Sequence, residues 1–186
     1  SMDAQGALRT VYMDAQAILA YSDDYVMNPG HHAMGQLASE LLERGFGAAR
    51  IGLELENYYF SAAAYLSLKS ELPDATLVDA TALVNWQRTV KSETELDYMT
   101  RAARIVERMH TCIRERLEPG LRKNELVADI VKTGILGTPE FGGDYPAIVP
   151  LLPTGVDASA AHLTWDDKPF EKGACTFFEI AGCYRR

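Results

Sequence analysis

Trp86-Gln-Arg-Thr-Val-Lys-Ser-Glu-Thr-Glu-Leu96 opens the most regular stretch of the chain, and the helical pattern running on from it decides the fold. Ser92 with Glu95 three residues on is a capping box, in which each side chain satisfies a backbone donor that the first helical turn leaves free. Leu96, Met99, Ala103, Val106, Met109 and Ile113 then recur at helical spacing until Pro119-Gly120 ends the pattern. A long amphipathic helix is therefore predicted from Ser92 onward. A second helix fits Lys123 to Lys132, stopped by Gly134. Beyond it lies a loop-rich stretch with Pro139, Pro146, Pro150 and the pair Gly142-Gly143. The apolar run Thr176-Phe-Phe-Glu-Ile-Ala181 then reads as a strand.

Upstream, helical and strand patterns alternate. Met34, Leu37, Ala38, Leu41 and Leu42 mark a helix that Gly45 stops, and Ala49 to Glu54 is a strand candidate. Ser61 to Leu72 is helical in composition up to Pro73, and Thr76 to Ala80 is another strand. A further strand pair is predicted around Arg9–Tyr12 and Ala17–Tyr21. Helix and strand alternating through short links point to a layered α/β unit. The domain boundary is expected between Asp79 and Ser92, giving domains at 1–84 and 85–186. The first unit shows few strands, and the last strand lacks pairing partners after it, so sequence is expected beyond both ends.

A net charge of -8 and a pI near 5.0 argue against nucleic acid as a partner, since neutralising phosphates needs a basic patch. Arg114, Arg116, Arg122 and Lys123 are diluted by Glu115, Glu118 and Glu125 and read as a solvated helix face. Hydrophobic residues make up 47% and charged residues 24%, an ordinary globular balance, and no apolar run approaches a membrane span of ~20 residues. The start carries no signal-peptide pattern. Cys112, Cys175 and Cys183 show no metal-ligand spacing; they suit a reducing, cytoplasmic compartment and are expected to be small core residues.

Glu179 is the most informative residue. On an alternating strand it shares a face with Phe177 and Ala181, while Phe178 and Ile180 point the other way. A carboxylate in so apolar a run needs a partner, a metal or a chemical task. The plain alternative is an edge residue facing solvent or paired with an arginine. His162 lies in Asp157-Ala-Ser-Ala-Ala-His-Leu-Thr-Trp-Asp-Asp167, and imidazole suits proton transfer near neutrality. Trp165 offers a ring face to a cation, for ~0.5–2 kcal/mol. Asp166-Asp167 before Lys168-Pro169 reads as a turn. Phe141-Gly-Gly-Asp-Tyr-Pro-Ala-Ile-Val-Pro150 brings Asp144 and Tyr145 onto a backbone that glycines allow a ligand to approach. His31, His32 and His110 carry no functional reading.

Taken together, these residues resemble a known family. Trp86 to Gly120, with its Arg-x-x-Lys-Ser linker, helix and Pro-Gly turn, is similar to the entry to the catalytic domain of the creatinase, prolidase and aminopeptidase-P superfamily. The order of elements downstream, a Gly/Pro-rich segment, an Ala-x-His loop and an apolar strand with an acidic residue, resembles it too. Three stretches further resemble the ectoine-hydrolase branch: Phe141-Gly-Gly-Asp-Tyr-Pro-Ala-Ile-Val-Pro-Leu-Leu-Pro153, His162-Leu-Thr-Trp-Asp-Asp167 and Phe177-Phe-Glu-Ile-Ala-Gly-Cys-Tyr-Arg-Arg186. Ala49-Arg-Ile-Gly52 and Asn57-Tyr-Tyr-Phe-Ser-Ala-Ala-Ala64 resemble its N-terminal domain.

The resemblance implies a mixed α/β and α+β chain: a partial creatinase N-terminal α/β domain, then the first half of a pita-bread catalytic domain. It implies opening of the cyclic amidine ectoine, and also of hydroxyectoine as a related substrate, to an N-acetyl-diaminobutyrate by a homodimer, with a separate deacetylase acting next. Glu179 and His162 would be catalytic; Trp165, Tyr145, Asp144 and Phe177 would bind substrate. Metallopeptidases of the superfamily have a metal-binding Asp where this chain has Glu179, so the resemblance implies no metal and no cofactor. The rival readings are a metal-dependent Xaa-Pro dipeptidase or aminopeptidase, a non-catalytic binding module, and a lyase of the same fold.

Overall fold

A computed structural model describes residues 2–185, and the chain divides into two compact units, residues 1–89 and 90–186. In the first unit, helix α1 spans Met2–Thr10, α2 Met34–Glu43, strand β1 Arg50–Leu53, α3 Ala62–Glu71, β2 Thr76–Asp79 and α4 Leu83–Gln87. Strands β1 and β2 pair in parallel, Arg50 opposite Thr76 and Leu53 opposite Asp79, with α3 as the crossover. Ser61 caps α3 by accepting the Ala64 N–H at 3.1 Å. Gly45, at φ 84°, lets the chain leave α2 so that Phe46 N–H reaches the Leu41 carbonyl. Ala38, Leu68 and Leu72 form the core, packed by Met34, Leu41, Ile51 and Leu53.

The strand pair expected near the start is not present. Arg9 and Thr10 end α1, where Thr10 Oγ1 donates to the Gly6 carbonyl and Arg9 to the Gln5 carbonyl. Residues 15–17 make one 3-10 turn and 18–21 are irregular. The Val11 and Ile18 N–H groups bond within their own turns, to the Ala7 and Ala15 carbonyls, the Ala20 carbonyl accepts from the Gln36 side chain at 3.0 Å, and Tyr12 is wholly exposed.

In the second unit α5 spans Glu93–Arg116 and α6 Lys123–Leu136. The Ser92–Glu95 capping box forms as predicted, with the Ser92 N–H on Glu95 Oε2 at 2.7 Å. Ile105, Met109 and Ile113 of α5 meet Leu126, Val127 and Ile130 of α6, and Leu152 and Phe170 close the core. The predicted stripe holds in the second half of the helix, where Met109 and Ile113 are buried, but Leu96, Met99 and Ala103 in the first half are exposed. Arg101 takes the place on that face, its guanidinium held by Asp97 at 2.9 Å and lying 5.4 Å from the Phe141 ring and 5.1 Å from that of Tyr184.

Gly134 does not stop α6. It is buried inside the helix, where the Met109 sulfur would lie 3.3 Å from an added Cβ, and the helix ends at Gly137 with φ 68°. Nor is Lys123 part of a solvated face. It is 7% exposed, and its Nζ donates to Asp166 Oδ1 at 2.9 Å. Arg122 pairs with Asp167 at 3.2 Å, so the two acids that read as a turn also hold α6 to the segment after it. None of the cysteines is a buried core residue: Cys112 and Cys183 are half-buried, and Cys175 is exposed because it falls on the outward side of its segment.

The hydrogen bond from Lys123 holds the Asp166 carboxyl below the usual carboxylate range, helped by the Lys168 N–H. A depressed folded pKa adds stability that is present above the ordinary carboxylate pKa and is lost as pH falls through the folded value. Asp166→Asn should therefore destabilise by about 1–2 kcal/mol at pH 7, the figure discounted for the acid's partial exposure. In denaturant titrations the gap to wild type should close as the pH drops into the acid range. A gap that stays constant with pH would contradict the assignment.

Thr176 to Ala181 is extended, but instead of a continuous strand it pairs through isolated antiparallel bridges, Leu151 with Glu179 and Thr154 with Thr176. Pro153 explains the interruption. Its carbonyl accepts from Phe177 at 3.2 Å, but it has no N–H to return. The predicted alternation is retained: Phe178 and Ile180 pack on the core, and Phe177 and Glu179 are exposed on the other side.

Candidate active site

Glu179 is fixed by a reciprocal backbone pair. Leu151 N–H donates to the Glu179 carbonyl at 2.9 Å, and Glu179 N–H to the Leu151 carbonyl at 3.1 Å. Its carboxylate thereby leaves the core and enters a cavity of about 390 Å³. Leu151, Pro153, Phe177 and Phe178 supply apolar wall, and Ala158 and Ala161 keep the opposite wall small. The polar lining is Glu179, His162 and the Ser159 hydroxyl, which donates to the Val156 carbonyl at 2.9 Å.

His162 reaches the cavity from a loop, with its backbone in the left-handed region at φ 65°. That conformation is uncommon for a residue with a Cβ and tends to mark functional loops. Its Nε2 lies 3.7 Å from Glu179 Oε2, beyond hydrogen-bond length but close enough for both groups to meet one bound molecule. Both side chains are more than half exposed, so each is open to a ligand.

Three of the sequence candidates, Glu179, His162 and Phe177, thus meet in one cavity. Trp165 lines an adjoining depression with Lys123, Asp157 and Asp166, sharing only Pro153 with the first. Asp144 and Tyr145 line a third, small apolar cavity with Met109, Ile135 and Gly182. There Asp144 Oδ1 accepts the Tyr145 N–H, and the Asp144 N–H bonds to the Cys183 carbonyl. Sequence reasoning missed Leu151, Pro153 and Ser159. Only Ser159 had a visible signal, its place among small residues just before His162.

The donor set does not complete a metal site among the described residues. One carboxylate and one imidazole are at hand, and among the described residues no three His, Cys, Asp or Glu side chains converge to hold an ion. Among the described residues no helix is long and apolar enough to cross a membrane.

An α/β unit followed by two packed helices and a carboxylate-bearing extended segment fits a creatinase-type N-terminal domain followed by part of a pita-bread domain. Residues 2–90 match the creatinase/prolidase N-terminal domain family, and residues 97–186 match metallopeptidase family M24. The second unit is thus similar to family M24 and the first to a creatinase-type N-terminal domain. It is 56% identical to the ectoine hydrolase of Halomonas elongata, an alignment covering all of this chain and 48% of that protein. It is 33% identical to an uncharacterized hydrolase/peptidase of Sinorhizobium fredii, covering 47% of it. The chain therefore spans about half the length of the curated relatives it matches. Among solved structures, recombinant prolidase from Thermococcus sibiricus superposes with a TM-score of 0.74 over 99% of this chain and 46% of that one, at 17% identity. The X-Pro aminopeptidase of Thermotoga maritima gives 0.68 over 82% and 41%, at 20% identity. These structural likenesses establish the fold.

Proposed function

We propose that the full-length protein opens the ring of ectoine by hydrolysis to N-acetyl-L-2,4-diaminobutyrate. The observation that carries this is the Glu179–His162 pair in a largely apolar cavity; the identity to a protein named ectoine hydrolase supports it. Ectoine's amidinium shares one positive charge over two ring nitrogens, and the carbon between them is electrophilic. The Glu179 carboxylate attracts that cation, and either takes the proton from the water that adds to the carbon, or adds to the carbon itself and is freed when that water attacks the resulting acyl imidate. His162 delivers a proton to one ring nitrogen as the carbon–nitrogen bond breaks, leaving the former amidine carbon as an acetamide. One water is added and no electrons are exchanged. Phe177 and Leu151 supply an apolar wall for the ring methylenes and methyl group.

Trp165, Asp144 and Tyr145, which line other cavities, are assigned in this reading to parts of the substrate away from the reacting carbon. Hydroxyectoine is a second substrate in this reading. The working enzyme is a cytoplasmic homodimer, and a separate deacetylase consumes the product. A Xaa-Pro peptidase would act on a peptide bond instead. Assaying the full-length protein side by side on ectoine and on a Xaa-Pro dipeptide separates the two. Consumption of ectoine alone is expected; cleavage of the dipeptide alone would overturn the proposal.

A further inference from the structure

Three segments must hold their places for His162 and Glu179 to face one molecule, and few bonds tie them. Residues 151–154 and 176–179 are joined by isolated bridges, interrupted at Pro153. A slip of one residue would turn Glu179 to the core side and Phe178 outward, because side chains alternate along extended backbone. Next to this weak pairing lies a short chain of hydroxyls. Thr176 Oγ1 donates to Thr154 Oγ1 at 3.1 Å, and Thr154 Oγ1 donates to the Leu152 carbonyl at 3.1 Å. Both threonines are half-buried, which shields these bonds from exchange with water.

Leu152 is where the segments converge. Its side chain is 1% exposed in the core, and its N–H reaches the Thr164 carbonyl in the His162 loop at 3.3 Å. Its carbonyl receives the hydroxyl chain that leads to Thr176, three residues before Glu179. The neighbouring Leu151 makes both bonds of the Glu179 bridge. One buried residue thus connects the loop that carries the imidazole to the segment that carries the carboxylate.

We infer that Thr154 and Thr176 are positioning residues whose paired hydroxyls lock the register that sets Glu179 against His162. Neither lines the cavity of Glu179 and His162; they act through the Leu151–Glu179 bridge. This rests on the proposed function only for its kinetic consequence. A displacement of about 1 Å in a reacting group can lower turnover about 100-fold. Valine keeps threonine's shape and removes the hydroxyl, whereas serine keeps the hydroxyl.

The test uses full-length Thr154→Val, Thr176→Val, the double variant and Thr176→Ser, each checked for folding by circular dichroism. With ectoine, each valine variant should lose about tenfold or more in kcat with KM little changed. The double variant should be no worse than either single one, because both remove the same link. The serine variant should retain wild-type kcat. Folded valine variants with full kcat, or a serine variant as slow as the valine one, would overturn the inference. Hydrogen exchange is the readout that does not depend on substrate. The amides of Leu151 and Glu179 should exchange at least tenfold faster in the valine variants, with α5 core amides unchanged. Unchanged exchange at those two amides would overturn the inference even if the wild type failed on ectoine, a failure that would count against the proposed function.

Discussion

Glu179→Gln in the full-length protein is expected to lower ectoine turnover about 1,000-fold or more while leaving the protein folded and able to bind ectoine. The substitution keeps the side chain's size and removes both the charge and the basicity. Whether the carboxylate adds to the amidine carbon or activates water, an amide does neither, and general-base or nucleophile removal costs at least about 100–10,000-fold. Folding should be little affected, because the side chain is 53% exposed and the Leu151 bridge uses only the backbone of residue 179. Binding measured by calorimetry should weaken modestly, reflecting the lost ion attraction. Turnover within threefold of wild type would remove Glu179 from the chemistry. Loss of folding would show instead that the carboxylate is structural.

The second large effect is on stability. A Cβ at Gly143 would fall against the carbonyl oxygen of Gly134, well inside contact distance, and 3.3 Å from Ile105 Cδ1. The obstacle is helix backbone, which cannot rotate away as a side chain would. Gly143 N–H is also bound to the Ile135 carbonyl at 3.0 Å, so the segment has little room to retreat. Gly143→Ala should therefore cost about 3 kcal/mol, at the upper end of overpacking effects. Gly35→Ala is the control. It lies in α2 with nothing within 4 Å of its added Cβ, and should be neutral or slightly stabilising through helix propensity. Equal melting temperatures for the two variants would contradict this packing of Gly143 on α6.

How much of the fold was legible in the chain alone depended on the range of the forces involved. The α5 cap was visible because its bonds span three residues, and strands β1 and β2 because each is a short run between clear stops. Gly134 looked like a stop because the helix face it packs against, Met109 and the turn at Gly143, is tertiary. Lys123 looked solvated because Asp166 reaches it only after the chain has turned back. The first half of the stripe on α5 was misplaced for a related reason: an arginine on that face is tolerable only once Phe141 and Tyr184 have arrived to cover it.

The site shows the same division. Alternation alone put Phe177 and Glu179 on one side of the segment, and the structure keeps them there. That His162 joins them depends on a left-handed backbone at that residue and on Leu152 holding two segments, neither of which has a local signature. Trp165, Asp144 and Tyr145 sit in motifs as informative as that of His162, yet they line other cavities.

The most direct test of the proposed chemistry is a crystal structure of the full-length Glu179→Gln variant with ectoine bound. The ring is expected between Phe177 and Leu151, its amidine carbon facing the side chain at position 179 and a ring nitrogen within reach of His162. Ectoine bound elsewhere, or seated with its amidine carbon turned away from both residues, would contradict the assignment of Glu179 and His162 to the reaction.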